Sequence, residues 1–118
     1  MFRTMLKSKI HGARVTDANV EYRGSITIDI SILEAVEIIP NEKVQVVNLN
    51  NGSRIETYVI PGKKGSGVIA MNGGAARHAV VGDRLLIMSY VLIETKDALG
   101  HKPKIVFLDG KNKIADKE

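Results

Sequence analysis

Residues 43–60 read KVQVVNLNNGSRIETYVI, and this stretch decides the fold. Its two arms, 43–49 and 54–60, are short and rich in β-branched residues, which favours strands. Between them lies Asn50-Asn51-Gly52, and Asn-Gly between two strand-like runs is the strongest short signal for a hairpin. The sequence therefore predicts two antiparallel strands that end at Pro61-Gly62, where proline removes a backbone donor.

The remaining chain continues as short apolar runs separated by turn residues. Ser31-Ile32-Leu33-Glu34 is typical of a capping box, so a short helix is predicted over 31–38, ended by Pro40-Asn41-Glu42. The segment 72–76 is predicted to turn into a short irregular or helical piece. Further strands are predicted over 3–15, 26–30, 68–71, 85–93 and 104–108. Six or seven strands without a βαβ rhythm predict a mainly β fold, a small closed or nearly closed barrel.

Length and composition narrow the class of protein. A chain of 118 residues is predicted to form one domain, over 1–110, followed by a charged and disordered tail, 111–118. The absence of cysteine excludes disulfides, thiolate zinc sites and a cysteine nucleophile. No stretch has the length and apolar character of a signal peptide or a membrane span, so we expect a cytoplasmic protein with no membrane partner.

The net charge of +4 leaves a second class of function open. Lys7, Lys9, Arg14 and Arg54 could contact phosphates if the chain were a basic binding module for nucleic acid. However, two Phe, three Tyr and no Trp are too few aromatic residues for a base-stacking platform. Nucleic-acid binding is therefore kept only as an alternative to the enzymatic function considered below.

The common catalytic and metal-binding motifs are not found in the sequence. His11, His78 and His101 lack the spacing of metal ligands, so no metal is expected. No G-x-S-x-G elbow occurs. Residues 62–67, GKKGSG, do not follow the P-loop pattern and are interpreted as a flexible loop.

The second arm of the hairpin contains candidate ligand-binding side chains. By strand periodicity Arg54 and Tyr58 share one face, about 13 Å apart at about 3.3 Å per residue, while Thr57 lies on the other. The two long side chains can lean towards one small ligand, or they can simply be solvated. The pattern alone leaves both interpretations open.

Three Gly-Ser pairs also have two possible interpretations. Gly24-Ser25, Gly52-Ser53 and Gly65-Ser66 are each compatible with an ordinary turn. Each is equally compatible with a peptide bond that cuts itself and leaves a reactive group. The dipeptide does not distinguish between them.

Four segments together resemble one known family. They are residues 3–11 (RTMLKSKIH), 22–25 (YRGS), Thr57-Tyr58 and 72–76 (NGGAA). Their order and spacing, from residue 1 to about 108, are similar to those of the bacterial pyruvoyl-dependent aspartate 1-decarboxylases. The resemblance implies a six-stranded double-psi β-barrel and a homotetramer with active sites between subunits.

The same resemblance implies self-cleavage between Gly24 and Ser25. The Ser25 hydroxyl would attack the Gly24 carbonyl, and elimination and hydrolysis would leave a covalent pyruvoyl group at position 25. Glycine at 24 would let the backbone reach a strained geometry. Thr57 is the implied donor to the oxyanion, and Asn72 is implied to hold the processing geometry. A maturation partner is possible.

The implied reaction is decarboxylation of L-aspartate to β-alanine for pantothenate and coenzyme A, with neither metal nor pyridoxal phosphate. Ser25 and Tyr58 are the implied catalytic positions, Tyr58 as proton donor. Arg54 would hold the retained carboxylate through its planar fork. The other implied substrate-binding residues are Lys9, Thr57, Asn72, Gly73, Gly74 and Ala75, with His11 and Tyr22 as supporting candidates. At position 74 the family has a small residue that is larger than glycine. We expect Gly74 to make the turn slightly looser.

Overall fold

The computed structural model describes all 118 residues and contains nine strands with three short helices. In chain order they are β1 (Phe2–Arg14), β2 (Asp17–Asn19), β3 (Ser25–Asp29), α1 (Ile30–Val36), β4 (Lys43–Asn48), β5 (Arg54–Gly62), β6 (Ile69–Asn72), a 3-10 helix (Gly73–His78), β7 (Arg84–Glu94), α2 (Thr95–Ala98), β8 (Lys104–Leu108) and β9 (Ile114–Lys117). The mainly β class is confirmed. Neither α-helix has the length and apolar character needed to cross a membrane.

The strands form one sheet in the order β2-β6-β3-β5-β4-β7-β1-β8-β9. β4 and β5 are the predicted antiparallel hairpin, with Gln45 opposite Glu56. Three pairs, β2–β6, β3–β5 and β1–β8, are parallel, and the rest are antiparallel. Closure of this sheet into a double-psi barrel stays a prediction.

Alternate residues of the strands form a single apolar core. Ile26 and Ile28 of β3 are fully buried, as period-two geometry requires of a strand with one face on the core. Leu85 and Ile87 of β7 repeat the pattern. Every second side chain of these strands points into the core, so the side chains between them lie on the outer face of the sheet.

The helix α1 begins one residue earlier than predicted, because its N-cap is Asp29. The Asp29 carboxylate accepts from the Ser31 backbone N–H (2.8 Å) and hydroxyl (2.7 Å). The predicted capping box at 31–34 is therefore wrong, and Glu34 instead forms an ion pair with Lys64 (3.1 Å). The helix ends at Val36, followed by Glu37 in the left-handed region.

The tail predicted to be disordered forms part of the sheet, which corrects that expectation. β9 pairs antiparallel with β8, with Phe107 opposite Asp116. Before it, the buried Asn112 accepts from the Arg14 N–H (2.7 Å) and donates to the carbonyls of Arg14 (2.8 Å) and Gly67 (2.7 Å). These contacts reach across the chain, so the charged composition of the tail did not indicate them.

Candidate active site

Ser25 is a fully buried polar residue at the start of β3, directly opposite Asn72 at the end of β6. The Asn72 side-chain amide donates to Ser25 Oγ (3.0 Å) and to Thr27 Oγ1 (2.9 Å). Ser25 Oγ in turn donates to the Arg23 carbonyl (3.4 Å). The hydroxyl beside the Gly24–Ser25 peptide is therefore held in place and shielded from solvent.

Gly73 packs directly against Gly24 and adopts a left-handed φ of +61°. A Cβ atom at Gly73 would lie 2.5 Å from the Gly24 nitrogen and 2.7 Å from the Tyr22 carbonyl oxygen, so only glycine fits. At Gly24 itself the nearest atom to an added Cβ is the Gly74 nitrogen, at 4.0 Å. The strained glycine expected at 24 is thus found at 73, and sequence reasoning did not identify this requirement.

The other two Gly-Ser pairs are ordinary turns, as the simpler interpretation has it. Gly52 (φ +77°) lies in the hairpin turn, and Gly65 (φ +80°) lies in the loop before β6. Ser66 is exposed, and its hydroxyl donates to the Lys63 carbonyl (2.6 Å). Neither turn has a buried serine comparable to Ser25.

A cavity of about 360 Å³ adjoins the segment that packs on Gly24. β5 runs parallel to β3, with Val59 opposite Ile26. Thr57 lies two residues before Val59, and Gly24 lies two residues before Ile26. Thr57 is therefore level with Gly24 on the neighbouring strand. The lining residues of the cavity are Ile55, Glu56, Thr57, Gly74, Ala75 and His78. The volume suits a small polar ligand.

Arg54 and Tyr58 lie on the outer face of β5, opposite to Thr57. The Arg54 Nη1 donates to Gln45 Oε1 (3.0 Å), which also accepts from the Tyr90 hydroxyl (2.8 Å). Tyr58 borders a second hollow with Lys43, Glu56 and Thr57, and this hollow adjoins the cavity because Glu56 and Thr57 line both. Of the two interpretations that the sequence left open, one chain alone shows no pocket shared by Arg54 and Tyr58.

Lys9 lies farther away on this outer face. The ladder pairs Lys9 with Met88, Met88 with Gln45, and Gln45 with Glu56, so Lys9 is three strands from β5. Residues opposite each other in an antiparallel pair project to the same side, so Lys9 and Arg54 share a face. All five ion pairs of the structure involve other lysines.

The supporting candidates also lie in different places. His11 packs on Phe107, with ring centroids 5.0 Å apart. Tyr22 is 56% exposed in the turn before Gly24, and its carbonyl oxygen faces Gly73. His101 bonds the Leu6 carbonyl through Nε2 (2.7 Å). No three His, Cys, Asp or Glu side chains come together as metal ligands.

His78 is a cavity residue that the sequence analysis considered only as a metal ligand. Its side chain is exposed, but its Nδ1 lies 2.7 Å from Ser53 Oγ and it lines the cavity with Thr57. The one sequence signal that could have placed His78 at the cavity is that it lies five residues after Gly73, close to the 72–76 segment.

Comparison with known proteins agrees with the geometry. The sequence profile of the family described as aspartate decarboxylase matches residues 1–115. The chain belongs to the aspartate decarboxylase family. An aspartate 1-decarboxylase of Listeria monocytogenes serotype 4b (strain CLIP80459) is 65% identical over 114 residues, covering 97% of this chain and 90% of the relative. Those of Carboxydothermus hydrogenoformans (59%, covering 97% and 90%) and Pelotomaculum thermopropionicum (57%, covering 98% and 88%) are also similar.

Membership of the aspartate decarboxylase family gives the nucleic-acid alternative no support. Two of its four candidate phosphate contacts are also engaged within the chain. Lys7 donates to the Glu37 carbonyl (2.6 Å) and pairs with Glu42 (3.1 Å), while Arg54 is bonded to Gln45. Of that set, only Lys7 has its charge paired within the chain.

Proposed function

We propose that this member of the aspartate decarboxylase family cuts its own chain between Gly24 and Ser25 and then converts L-aspartate to β-alanine and CO2. The observation that carries the proposal is the buried Ser25 hydroxyl, held by Asn72 beside Gly24. The names of its relatives support the substrate. The β-alanine would supply pantothenate synthesis.

The cut uses atoms of the chain alone apart from water. Ser25 Oγ attacks the Gly24 carbonyl carbon, and the C–N bond breaks as an ester forms. Elimination then removes the Cα proton of residue 25 and breaks the Cβ–Oγ bond of the ester, leaving the Gly24 carboxylate and a Cα=Cβ double bond in residue 25. Water converts that residue to a pyruvoyl group and releases ammonia. The hydrogen bond from Asn72 holds the hydroxyl for the first step, and Thr57, level with Gly24 on β5, is the proposed oxyanion donor.

The residues around position 25 fit such a group. Gly73 leaves no side chain against Gly24, and the cavity by Gly74, Ala75 and Thr57 gives a small substrate access to this part of the fold. The pyruvoyl group, when present, supplies an electrophilic ketone that draws electrons away as CO2 leaves. Thr57 and the 72–75 segment, Asn72-Gly73-Gly74-Ala75, orient the substrate.

The remaining substrate contacts come from the outer face of a neighbouring subunit in the proposed homotetramer. Lys9, Arg54 and Tyr58 share that face, and none of the three lines the cavity of its own chain, although Tyr58 borders the hollow next to it. Arg54 would then hold the retained carboxylate, Lys9 would add a second positive charge, and Tyr58 would return a proton to Cα. His11 and Tyr22 support these positions.

Intact-mass analysis together with a decarboxylation assay tests the proposal. We expect two fragments split after Gly24, the longer one reacting with a hydrazine, and CO2 release from L-aspartate without added pyridoxal phosphate or metal. Ser25→Ala should abolish both. The matched control Ser66→Ala alters the Gly-Ser pair of an exposed loop and should leave both intact. A chain that stays whole, or that is cut but releases no CO2, contradicts the proposal.

A further inference from the structure

His78 connects two parts of the fold that form opposite walls of the cavity. It ends the 3-10 helix Gly73–His78, which contributes Gly74 and Ala75. The opposite wall is the start of β5, including Ile55 and Thr57. Whatever holds His78 to β5 therefore also sets the distance between these walls.

The turn of the β4–β5 hairpin holds His78 by three contacts. The His78 carbonyl accepts hydrogen bonds from the side-chain amides of Asn48 (2.9 Å) and Asn51 (3.0 Å). The imidazole Nδ1 lies 2.7 Å from Ser53 Oγ. Ser53 immediately precedes Arg54, the first residue of β5, so the grip on His78 leads directly into the wall that contains Thr57.

The turn itself is held by further hydrogen bonds of Asn48. Asn48 is buried, and its amide also donates to Asp83 Oδ2 (2.9 Å). Its Oδ1 accepts from the N–H groups of Asn50 (2.8 Å) and Asn51 (3.3 Å). An exposed histidine is therefore anchored at both backbone and ring, which is the arrangement that orients a functional side chain.

We propose that His78 is a positioning residue for the substrate: through Ser53 it holds the Gly74–Ala75 segment at a set distance from Thr57 across the cavity. For its link to L-aspartate this inference rests on the proposed function. The His78–Ser53 contact is the adjustable part, because the two asparagine contacts involve the backbone carbonyl and persist in any side-chain variant.

Four variants separate positioning from direct substrate contact. His78→Leu and Ser53→Ala each remove the ring–hydroxyl contact. His78→Asn places an amide near the position of Nδ1, whereas His78→Gln places it near Nε2. Arg77→Gln alters the neighbouring exposed charge and serves as the matched control.

We expect His78→Leu and Ser53→Ala to raise KM for L-aspartate about threefold to tenfold, the range that one net hydrogen bond supplies, with kcat within about twofold. His78→Asn should restore KM, and His78→Gln should not. The KM of the double variant should not exceed that of the single variant with the higher KM, because both substitutions remove the same contact. Rescue by Gln but not Asn, additive effects, or an unchanged KM overturns the proposal.

Hydrogen exchange of the whole protein without substrate gives a readout independent of activity. Amides of residues 76–78 should exchange faster in His78→Leu and Ser53→Ala than in the wild type, His78→Asn and Arg77→Gln. Equal exchange in all of these proteins overturns the positioning role. A wild type that is not cut or releases no CO2 contradicts the proposed function instead, and the exchange comparison still decides the role of His78.

Discussion

At the scale of single residues, the candidate site depends on the side-chain amide of Asn72 and on the absence of a side chain at Gly73. Asn72 holds the Ser25 hydroxyl, and Gly73 leaves room for the Gly24 backbone. Gly74, the next residue, is free of such restraint: nothing lies within 4 Å of a Cβ atom placed there. Two adjacent glycines therefore have opposite tolerances, which sequence composition does not reveal.

Gly73→Ala should prevent self-cleavage, whereas Gly74→Ala should not. An alanine at 73 adds left-handed strain of about 1–2 kcal/mol and pushes on Gly24, so the cut peptide moves away from Ser25 Oγ. An alanine at 74 should leave cutting intact and stabilise the fold by about 0.4–1 kcal/mol, through a less flexible unfolded chain. Intact mass measures the cut, and thermal unfolding measures stability. Full cutting in Gly73→Ala contradicts the packing argument.

At the scale of elements, Asp29 connects strand, helix and loop. Besides capping α1, its carboxylate accepts from the N–H groups of Gly65 (2.9 Å) and Gly67 (2.8 Å). The GKKGSG loop is therefore organised around a carboxylate of β3. Burial raises the pKa of Asp29, but donation from Ser31, Gly67 and Gly65 outweighs burial and holds the pKa below its ordinary value.

Asp29→Asn should make the protein less stable at neutral pH and less sensitive to acid. A lowered pKa in the folded state adds stability that is present above the unfolded value, about 3.9, and is lost as pH falls through the folded value. We expect a loss of about 1–3 kcal/mol at pH 7 that shrinks below about pH 4. Denaturant unfolding across this pH range measures the difference.

Two other carboxylates must be separated from this effect. Donation from the Asn48 side chain and the Val80 N–H lowers the pKa of Asp83, and donation from the Lys113 and Lys111 N–H groups lowers the pKa of Asp109. Both remain in Asp29→Asn, so the difference between the two proteins isolates Asp29. Asp97→Asn, at an exposed position in α2, is the control and should change stability by less than about 0.5 kcal/mol. If the difference in unfolding free energy between the wild type and Asp29→Asn stays the same from pH 7 to pH 3, the lowered pKa of Asp29 is contradicted.

At the scale of the whole molecule, the cavity and the expected cationic residues lie on different surfaces. The outer face that carries Lys9 and Arg54 also exposes apolar side chains of β7, Tyr90 (43%) and Leu92 (64%). A second copy packed on this face would cover the apolar groups and bring the cations to another subunit's cavity. This arrangement is the physical basis for the proposed homotetramer.

Co-expression of Ser25→Ala with Lys9→Ala should recover activity that neither variant has alone. If each site takes position 25 from one subunit and Lys9 from another, random assembly restores about a quarter of the wild-type activity. Light scattering should give four times the 12.9 kDa chain mass. Co-expressed Ser25→Ala and Ser25→Gly, which share the defect, should stay inactive. No recovery in a stable mixed tetramer means that each chain supplies its own Lys9.

The sequence by itself determined the local architecture. The arms of KVQVVNLNNGSRIETYVI and the run Ile26–Ile28 formed strands as expected, because alternation with a period of two is a property of neighbouring residues. The predicted end of the second arm at Pro61-Gly62 was wrong, since β5 continues through both residues in its pairing with β3. Order and spacing of short segments also identified the family, which the comparison confirmed. Neither result needed a contact between distant residues.

Only the tertiary structure decided which Gly-Ser pair is buried, which residue caps α1, and where the tail lies. Ser25 differs from Ser53 and Ser66 through Asn72, 47 positions away along the chain. Asp29 and not Ser31 caps α1, and the loop glycines 65 and 67 donate to the same carboxylate, while β9 forms by pairing with β8. The physical reason is the same each time: hydrogen bonds and packing between residues far apart in sequence leave no local pattern to read.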